Sequence, residues 1–336
     1  MTFPISYLFF FFCLTLGSFL SISSSSWFGA WLGLELNLLS FIPLITLKMT
    51  SYLSEAAIKY FLIQAMASTI LIMSSTLFMM NPDYSYSLIL LSLILKLGAA
   101  PFHFWFPQVM EGLLWPQTVV LLTIQKLAPM FLISYLCFNS YLTTIIMVSS
   151  MMSAIVGAVG GLNVMKLRKV MAFSSINHMA WMLIAISLND ILWSTYFVLY
   201  SMISISVVTL FNFTRSYVIS DLTNNLESTS LSGLVIPMSL FSLGGLPPFT
   251  GFVPKWLMIQ LLVANKLMIP LTVLLASSLI TLYFYLRIMI PMILLTFPSL
   301  MLSLNKGVQF YFKAPYLTLP SFFNLFGIFL PLPFCS

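Results

Sequence analysis

Charge is what this sequence has least of. Only 6% of its 336 residues are Asp, Glu, Lys or Arg, against roughly 25% in an average soluble domain, while 60% are hydrophobic. That leaves too little polar surface to clothe a water-soluble globule. Apolar–polar alternation is missing as well: the apolar residues come in runs of about twenty, which excludes the strands of a membrane barrel. Lipid gives the backbone no hydrogen bonds, so a spanning chain without barrel strands must cross as helices. Cysteine is scarce. Cys13, Cys137 and Cys335 stand singly with no C-x-x-C spacing, so neither a metal site nor a disulfide framework is indicated. Nor is there a basic stripe. The net charge is +6, yet the cations are spread thinly between apolar runs, which argues against nucleic acid and for loops that obey the positive-inside rule. The start, Met1–Ile5, has no basic n-region, cleavage site or Arg-rich transit peptide, so the first helix is expected to be retained.

What is present is a series of apolar spans. At about twenty residues per crossing the sequence predicts an all-α integral membrane protein of about eleven helices. They fall near 3–22, 24–47, 55–80, 85–105, 113–137, 141–161, 169–188, 191–215, 231–263, 268–292 and 316–335. The fourth is interrupted at Gly98-Ala99-Ala100-Pro101, and the ninth at Gly244-Gly245-Leu246-Pro247-Pro248. Numbered alternately, the connections put Lys48, Lys59, Lys166, Arg168, Lys169, Arg215, Lys306 and Lys313 on one side and Lys266 alone on the other. A missed or invented helix would scramble that asymmetry, so the basic side is read as cytoplasmic or matrix, with the N-terminus on it. The longest connections, 216–230 and 293–315, hold no phosphate-binding glycine loop and no cluster of metal ligands. Any chemistry lies inside the membrane.

The ionisable residues left over are then informative. Removing the loop acids Glu55, Asp83, Glu111, Asp190, Asp221 and Glu227 leaves Glu35; removing the loop cations leaves Lys96, Lys126, Lys255 and Arg287. Each costs at least ~2.5–3.5 kcal/mol at bilayer depth. Arg287 lies near the basic end of its span, where snorkelling to the headgroups accounts for it. Glu35, Lys96 and Lys126 sit about 12 Å from a span end at 1.5 Å per residue, too far for that. Lys255 follows the second break, where broken backbone tends to line a cavity. A static buried ion pair is the other reading, but several cations face a single carboxylate. Low dielectric disfavours the charged form of any ionisable group, and a group poised between its forms can take up and release protons, as a relay requires.

Two histidines lie in apolar sequence: His103 just past the first break and His178 at the middle of the seventh span. Each reads either as a satisfied core histidine or as a relay group. Gly157 and Gly161 read as close helix packing, and the sequon at Asn212 lies on the basic side, against glycosylation. The two breaks fall in corresponding halves, which points to inverted five-helix repeats, 1–137 and 141–292, followed by a last helix at 316–335.

Four blocks then resemble the antiporter-like subunits of respiratory complex I: WFGAWLGLELNLLSF at 27–41, LILKLGAAPFHFWFP at 93–107, SSINHMAW at 174–181 and LGGLPPFTGFVPKW at 243–256. The resemblance covers most of 24–265, is closest to mitochondrial members, and fails over 298–336, from which no functional residue is carried. Bacterial relatives have extra N-terminal helices, and the lateral helix of the largest relatives has no counterpart here. The resemblance implies a proton path in which Glu35 and Lys96 form a pair, Lys126 is the central lysine and Lys255 the distal one, with His103 and His178 as possible relay groups. It also implies the inner mitochondrial membrane, with the N-terminus in the matrix and the C-terminus opposite. The implied partners are other membrane-arm subunits, neighbouring antiporter-like ones included, and membrane lipids. No cofactor is expected on this chain; NADH, FMN, iron–sulfur clusters and ubiquinone are expected on other subunits of the NADH:ubiquinone reductase. The rival readings are a free-standing cation/proton antiporter and an assembly subunit whose buried charges only orient helices.

Overall fold

The computed structural model describes residues 5–46, 50–78, 82–225 and 232–305, without the side chains of 223–225, 232–234 and 295–305. Fourteen helices follow one another: α1 Ile5–Ser23, α2 Trp27–Thr46, α3 Ser51–Leu77, α4 Pro82–Leu97, α5 Trp105–Gly112, α6 Trp115–Leu122, α7 Ile124–Ser134, α8 Ser140–Gly161, α9 Leu167–Leu188, α10 Asp190–Phe213, α11 Ile219–Asn225, α12 Ser232–Gly244, α13 Phe252–Ala264 and α14 Met268–Asn305. Among the described residues the β-structure is one isolated bridge, Lys166 to Val218. Among the described residues eight segments are long and apolar enough to cross a membrane, α6 and α7 counting as one. The fourth and ninth expected spans are the interrupted ones, and 316–335 lies outside the described residues, as do Lys48, Glu227, Lys306, Lys313 and Cys335.

Burial is inverted relative to a soluble protein. Phe9, Phe12, Phe19, Ile58, Leu62 and Met66 face outward, while Ser, Asn, Gln and three lysines are enclosed. Outward apolar surface on this scale is what a lipid solvent favours.

Local chemistry corrects several expected boundaries. The third helix begins at Ser51 rather than 55, so Glu55 and Lys59 belong to its first turns and not to a loop. Four residues apart, they face each other, and Lys59 Nζ donates to Glu55 Oε1 at 2.6 Å. Glu111 lies in α5 rather than in a connection. Asp83 and Asp190 stand in the first turns of α4 and α10, where the helix dipole favours an anion. Inside the expected loop 216–230, Asp221 Oδ2 accepts from the backbone N–H of Tyr217 and Val218 and opens α11. The last described helix continues to Asn305 through the stretch expected as a loop, because its sequence stays apolar and Pro298 is tolerated in such a helix.

The span at 113–137 is a third interrupted helix, which the sequence reading treats as continuous. Thr123 leaves helical geometry (φ −114°, ψ −80°), and both its Oγ1 and its N–H donate to Val119 O, at 2.7 and 3.0 Å. A side chain bonding back to its own turn competes with the helix ladder. Pro129, six residues later, has no N–H to give the Gln125 carbonyl. Lys126 sits between these two faults.

The chain divides into two compact units: the described residues up to Ser153 with Ile186–Asp190, and Ala154–Ala185 with the described residues from Ile191 on. In the first, α1 packs on α2, α3 on α2, α4 and α5, and α7 on α1 and α4. Glycine lets the first pair close up: a Cβ on Gly33 would meet Ser21 N at 2.5 Å and Gly17 O at 2.8 Å. In the second unit α14 packs on α11, α12 and α13. Gly157 lies against the backbone of Phe173 and Asn177, as the small-residue pattern predicts. Arg287 is half-buried, and its Nη1 donates to Leu162 O at 3.0 Å, satisfying a carbonyl just past the end of α8.

Candidate functional site

The first break builds the site. Gly98, at φ +70°, takes the left-handed conformation that ends α4, and the chain does not return to helix until Trp105. The exposed carbonyls are answered by side chains: Trp105 Nε1 donates to Leu95 O at 3.1 Å, and Gln64 Nε2, from α3, donates to Lys96 O at 3.3 Å. Lys96 is thereby placed in the last turn of a half-helix, where the dipole favours a cation, with 7% of its surface exposed.

Around it lies a cavity of about 20 Å³, enough for one water molecule. Its polar lining includes Asn37 from α2, Tyr60 and Gln64 from α3, Lys96 from α4, and Gln125 and Lys126 from α7. Lys126 is 2% exposed, its ammonium 5.2 Å from the centre of the Phe106 ring. Glu35 stands on α2 beside this cavity, half-buried; its Oε2 is shut off from solvent with no hydrogen-bond partner. The carboxylate acts electrostatically on Lys96 and on Tyr60. Among the described residues no direct bond joins Glu35 to Lys96, so the static ion pair considered from the sequence is not formed here.

The second break repeats the first in outline. Gly245, at φ +76°, follows α12, and Lys255, in the first turn of α13, reaches back so that Nζ donates to Gly244 O at 2.9 Å. At the first break the buried lysine belongs to the last turn of the first half-helix, and at the second it belongs to the second half-helix and reaches back to the end of the first. His178 lies in the second unit with its Nδ1 3.0 Å from Tyr196 Oη and its ring 5.0 Å from that of Tyr200. Its neighbour Asn177 donates through Nδ2 to Ser277 O at 3.3 Å. His103 is half-buried in the link after Gly98, its ring tilted against that of Phe104 at 4.1 Å between centroids, with Nδ1 enclosed and unbonded. It is not among the residues lining the Lys96 cavity.

Residues 24–83 and 80–281 match the family model described as NADH:quinone oxidoreductase/Mrp antiporter, transmembrane. The chain is 46% identical over 293 residues to NADH-ubiquinone oxidoreductase chain 2 of Anopheles gambiae, covering 84% of this chain and 85% of that one. For the Aedes aegypti protein of the same name the identity is 48% over 308 residues, with 89% and 87% covered. This chain belongs to the NADH-ubiquinone oxidoreductase chain 2 family. The fold also matches a chain in a structure of respiratory complex I from Thermus thermophilus with bound aureothin, at TM-score 0.78 and 22% identity, covering 92% of this chain and 80% of that chain.

Within this chain 2 family member, then, the first unit brings together Glu35, Lys96 and Lys126, and the second holds Lys255 and His178. Sequence reasoning missed Asn37, Tyr60, Gln64 and Gln125, because subtracting charges makes neutral groups invisible. A signal was available: Tyr60 and Gln64 are polar residues four apart on one face of an apolar helix. The second break yields a prediction. A Cβ on Gly245 would meet Lys255 Cδ at 2.9 Å and Nζ at 3.0 Å, and the left-handed backbone costs a non-glycine residue about 1–2 kcal/mol. Gly245→Ala is therefore expected to leave a folded protein whose Lys255 ammonium has moved out of hydrogen-bond reach of Gly244 O. A map of the variant with that bond intact would refute it.

Proposed function

We propose that this chain is a membrane-arm subunit of respiratory complex I that translocates protons across the inner mitochondrial membrane, coupled to NADH:ubiquinone oxidoreduction elsewhere in the complex. The observation that carries this reading is that Lys96 and Lys126 line one cavity while the Glu35 carboxylate acts electrostatically on Lys96. Ionisable groups at such depth are costly and mark ion or proton pathways. Glu35 tunes the charge state of Lys96, Lys126 relays the proton, and Lys255 exchanges it with the far side; His103 and His178 are further relay groups. NADH, FMN, iron–sulfur clusters and ubiquinone belong to other subunits. The fold in this reading is about eleven helices in two inverted five-helix repeats, 1–137 and 141–292, with 316–335 beyond them. The N-terminus lies in the matrix and the C-terminus in the intermembrane space. Other membrane-arm subunits flank the chain, antiporter-like ones among them.

The test is Lys96→Met in the assembled complex, reading protons moved per NADH oxidised together with the amount of complex formed. Pumping-coupled turnover is expected to fall about a hundred-fold, the low end of what loss of a proton-transfer group costs, with assembly preserved. Impaired assembly combined with normal pumping by whatever complex forms would instead mean that the buried charges only orient helices. Na⁺ or K⁺ exchange by the purified chain in vesicles would identify a free-standing antiporter.

A further inference from the structure

The Lys96–Lys126 cavity has a neutral wall as well as a charged one, and the neutral wall has a direction. Tyr60 Oη donates to Gln125 Oε1 at 3.0 Å, and Gln125 Nε2 donates to Asn37 Oδ1 at 2.7 Å. The second bond fixes which end of the Gln125 amide meets Tyr60, so the phenol must be the donor. Its ring is held edge-on by Phe41 at 5.1 Å and against Trp105 at 6.0 Å, and the residue is 2% exposed. A phenol carries one proton. With that proton committed to Gln125, the oxygen can offer the cavity only lone pairs.

Amides do not titrate at neutral pH, so the row Tyr60–Gln125–Asn37 cannot itself carry protons. It can orient what does. We propose that Tyr60, locked by Gln125 and Asn37, is a positioning residue of the proton path, its oxygen accepting a hydrogen bond from a water in the cavity. This rests on the proton-translocation reading above. A water with one hydrogen on Tyr60 has its other hydrogen and its lone pairs left for the two lysines. An ammonium on Lys96 gives its proton to the water oxygen while the water gives a proton to the neutral amine of Lys126, so atoms and charge balance. Turned the other way, the water would present a hydrogen to an ammonium and the transfer would stall. Glu35, which acts on both Lys96 and Tyr60, biases the donor and the orienting group together.

The experiment is Tyr60→Phe in the assembled complex, which removes the oxygen and keeps the ring. Coupled NADH turnover is expected to drop about three- to ten-fold, the size of one lost hydrogen bond. The KM values for NADH and quinone should stay the same, and the solvent deuterium isotope effect on turnover should rise as proton transfer becomes limiting. A purely structural role would not move that isotope effect. Gln125→Leu frees the Tyr60 proton without touching the ring and should give the same signature; it decides the matter if Tyr60→Phe does not assemble. Unchanged turnover and isotope effect in an assembled variant overturn the proposal. Lys126→Met in the same preparation separates the two levels. If it pumps normally the proton reading itself fails; if it stops pumping while Tyr60→Phe is silent, only the role of Tyr60 fails.

Discussion

A complex carrying Lys126→Met is expected to assemble in full and to lose proton pumping, with coupled turnover down about a hundred-fold, as for removal of an essential proton-transfer group. Lys126 is 2% exposed, sits between the Thr123 interruption and Pro129, and touches the Phe106 face. A cation in that position is desolvated at a cost of several kcal/mol, which an apolar side chain of similar volume does not incur. Methionine follows the lysine stem and fills irregular gaps well. Stability and function should therefore move in opposite directions, which is what separates a working group from a structural one. The measurement is the thermal midpoint of the complex alongside protons moved per NADH. A variant that loses stability while its remaining complex pumps normally would return Lys126 to a packing role.

Lys96, Lys126 and Lys255 were legible in the sequence because charge is so rare in this chain that each remaining ionisable group stands out against its span. The breaks at Gly98 and Gly245 were legible for a similar reason: glycine and proline cluster there, and both glycines do take positive φ. Thr123 gave no such warning. A single threonine in an apolar run reads as helix, and only its backbone dihedrals, with the side chain bonded back to Val119 O, reveal the fault. The continuation of α14 to Asn305 was hidden by Pro298, which weighs against helix in water but far less inside a membrane. Glu55 and Lys59 were misplaced because a charge count assigns both to a loop, whereas their four-residue spacing pairs them on a helix. The neutral wall of the cavity lay beyond reach for a different reason. Tyr60, Gln125 and Asn37 come from separate helices, and no local pattern announces that they will meet.

Gly33→Val is expected to do more damage to the protein than any of the lysine replacements. A Cβ there would lie 2.5 Å from Ser21 N and 2.8 Å from both Gly17 O and Ser21 Cα. All three are backbone atoms, so no rotamer change on α1 relieves the clash, and the two helices must part by about 1 Å to restore ordinary contact. Overpacking of this kind costs about 1–3 kcal/mol in a close-packed core. In lipid the loss is compounded, because van der Waals packing is a main force holding such helices together. The site moves with the fold. Asn37 lies one turn after Gly33 on the same helix, its backbone N 2.8 Å from where a Cβ on Gly17 would be, and its side chain accepts from Gln125. Displacing α2 therefore pulls Asn37 from Gln125 and shifts Glu35 relative to Lys96. The expected result is a large fall in assembled complex, with slower coupled turnover per complex in the remainder. The reciprocal Gly17→Val, which meets Asn37 N and Gly33 O at 2.8 Å, should behave alike. Normal assembly and pumping in both variants would mean that α1 and α2 do not pack through these glycines.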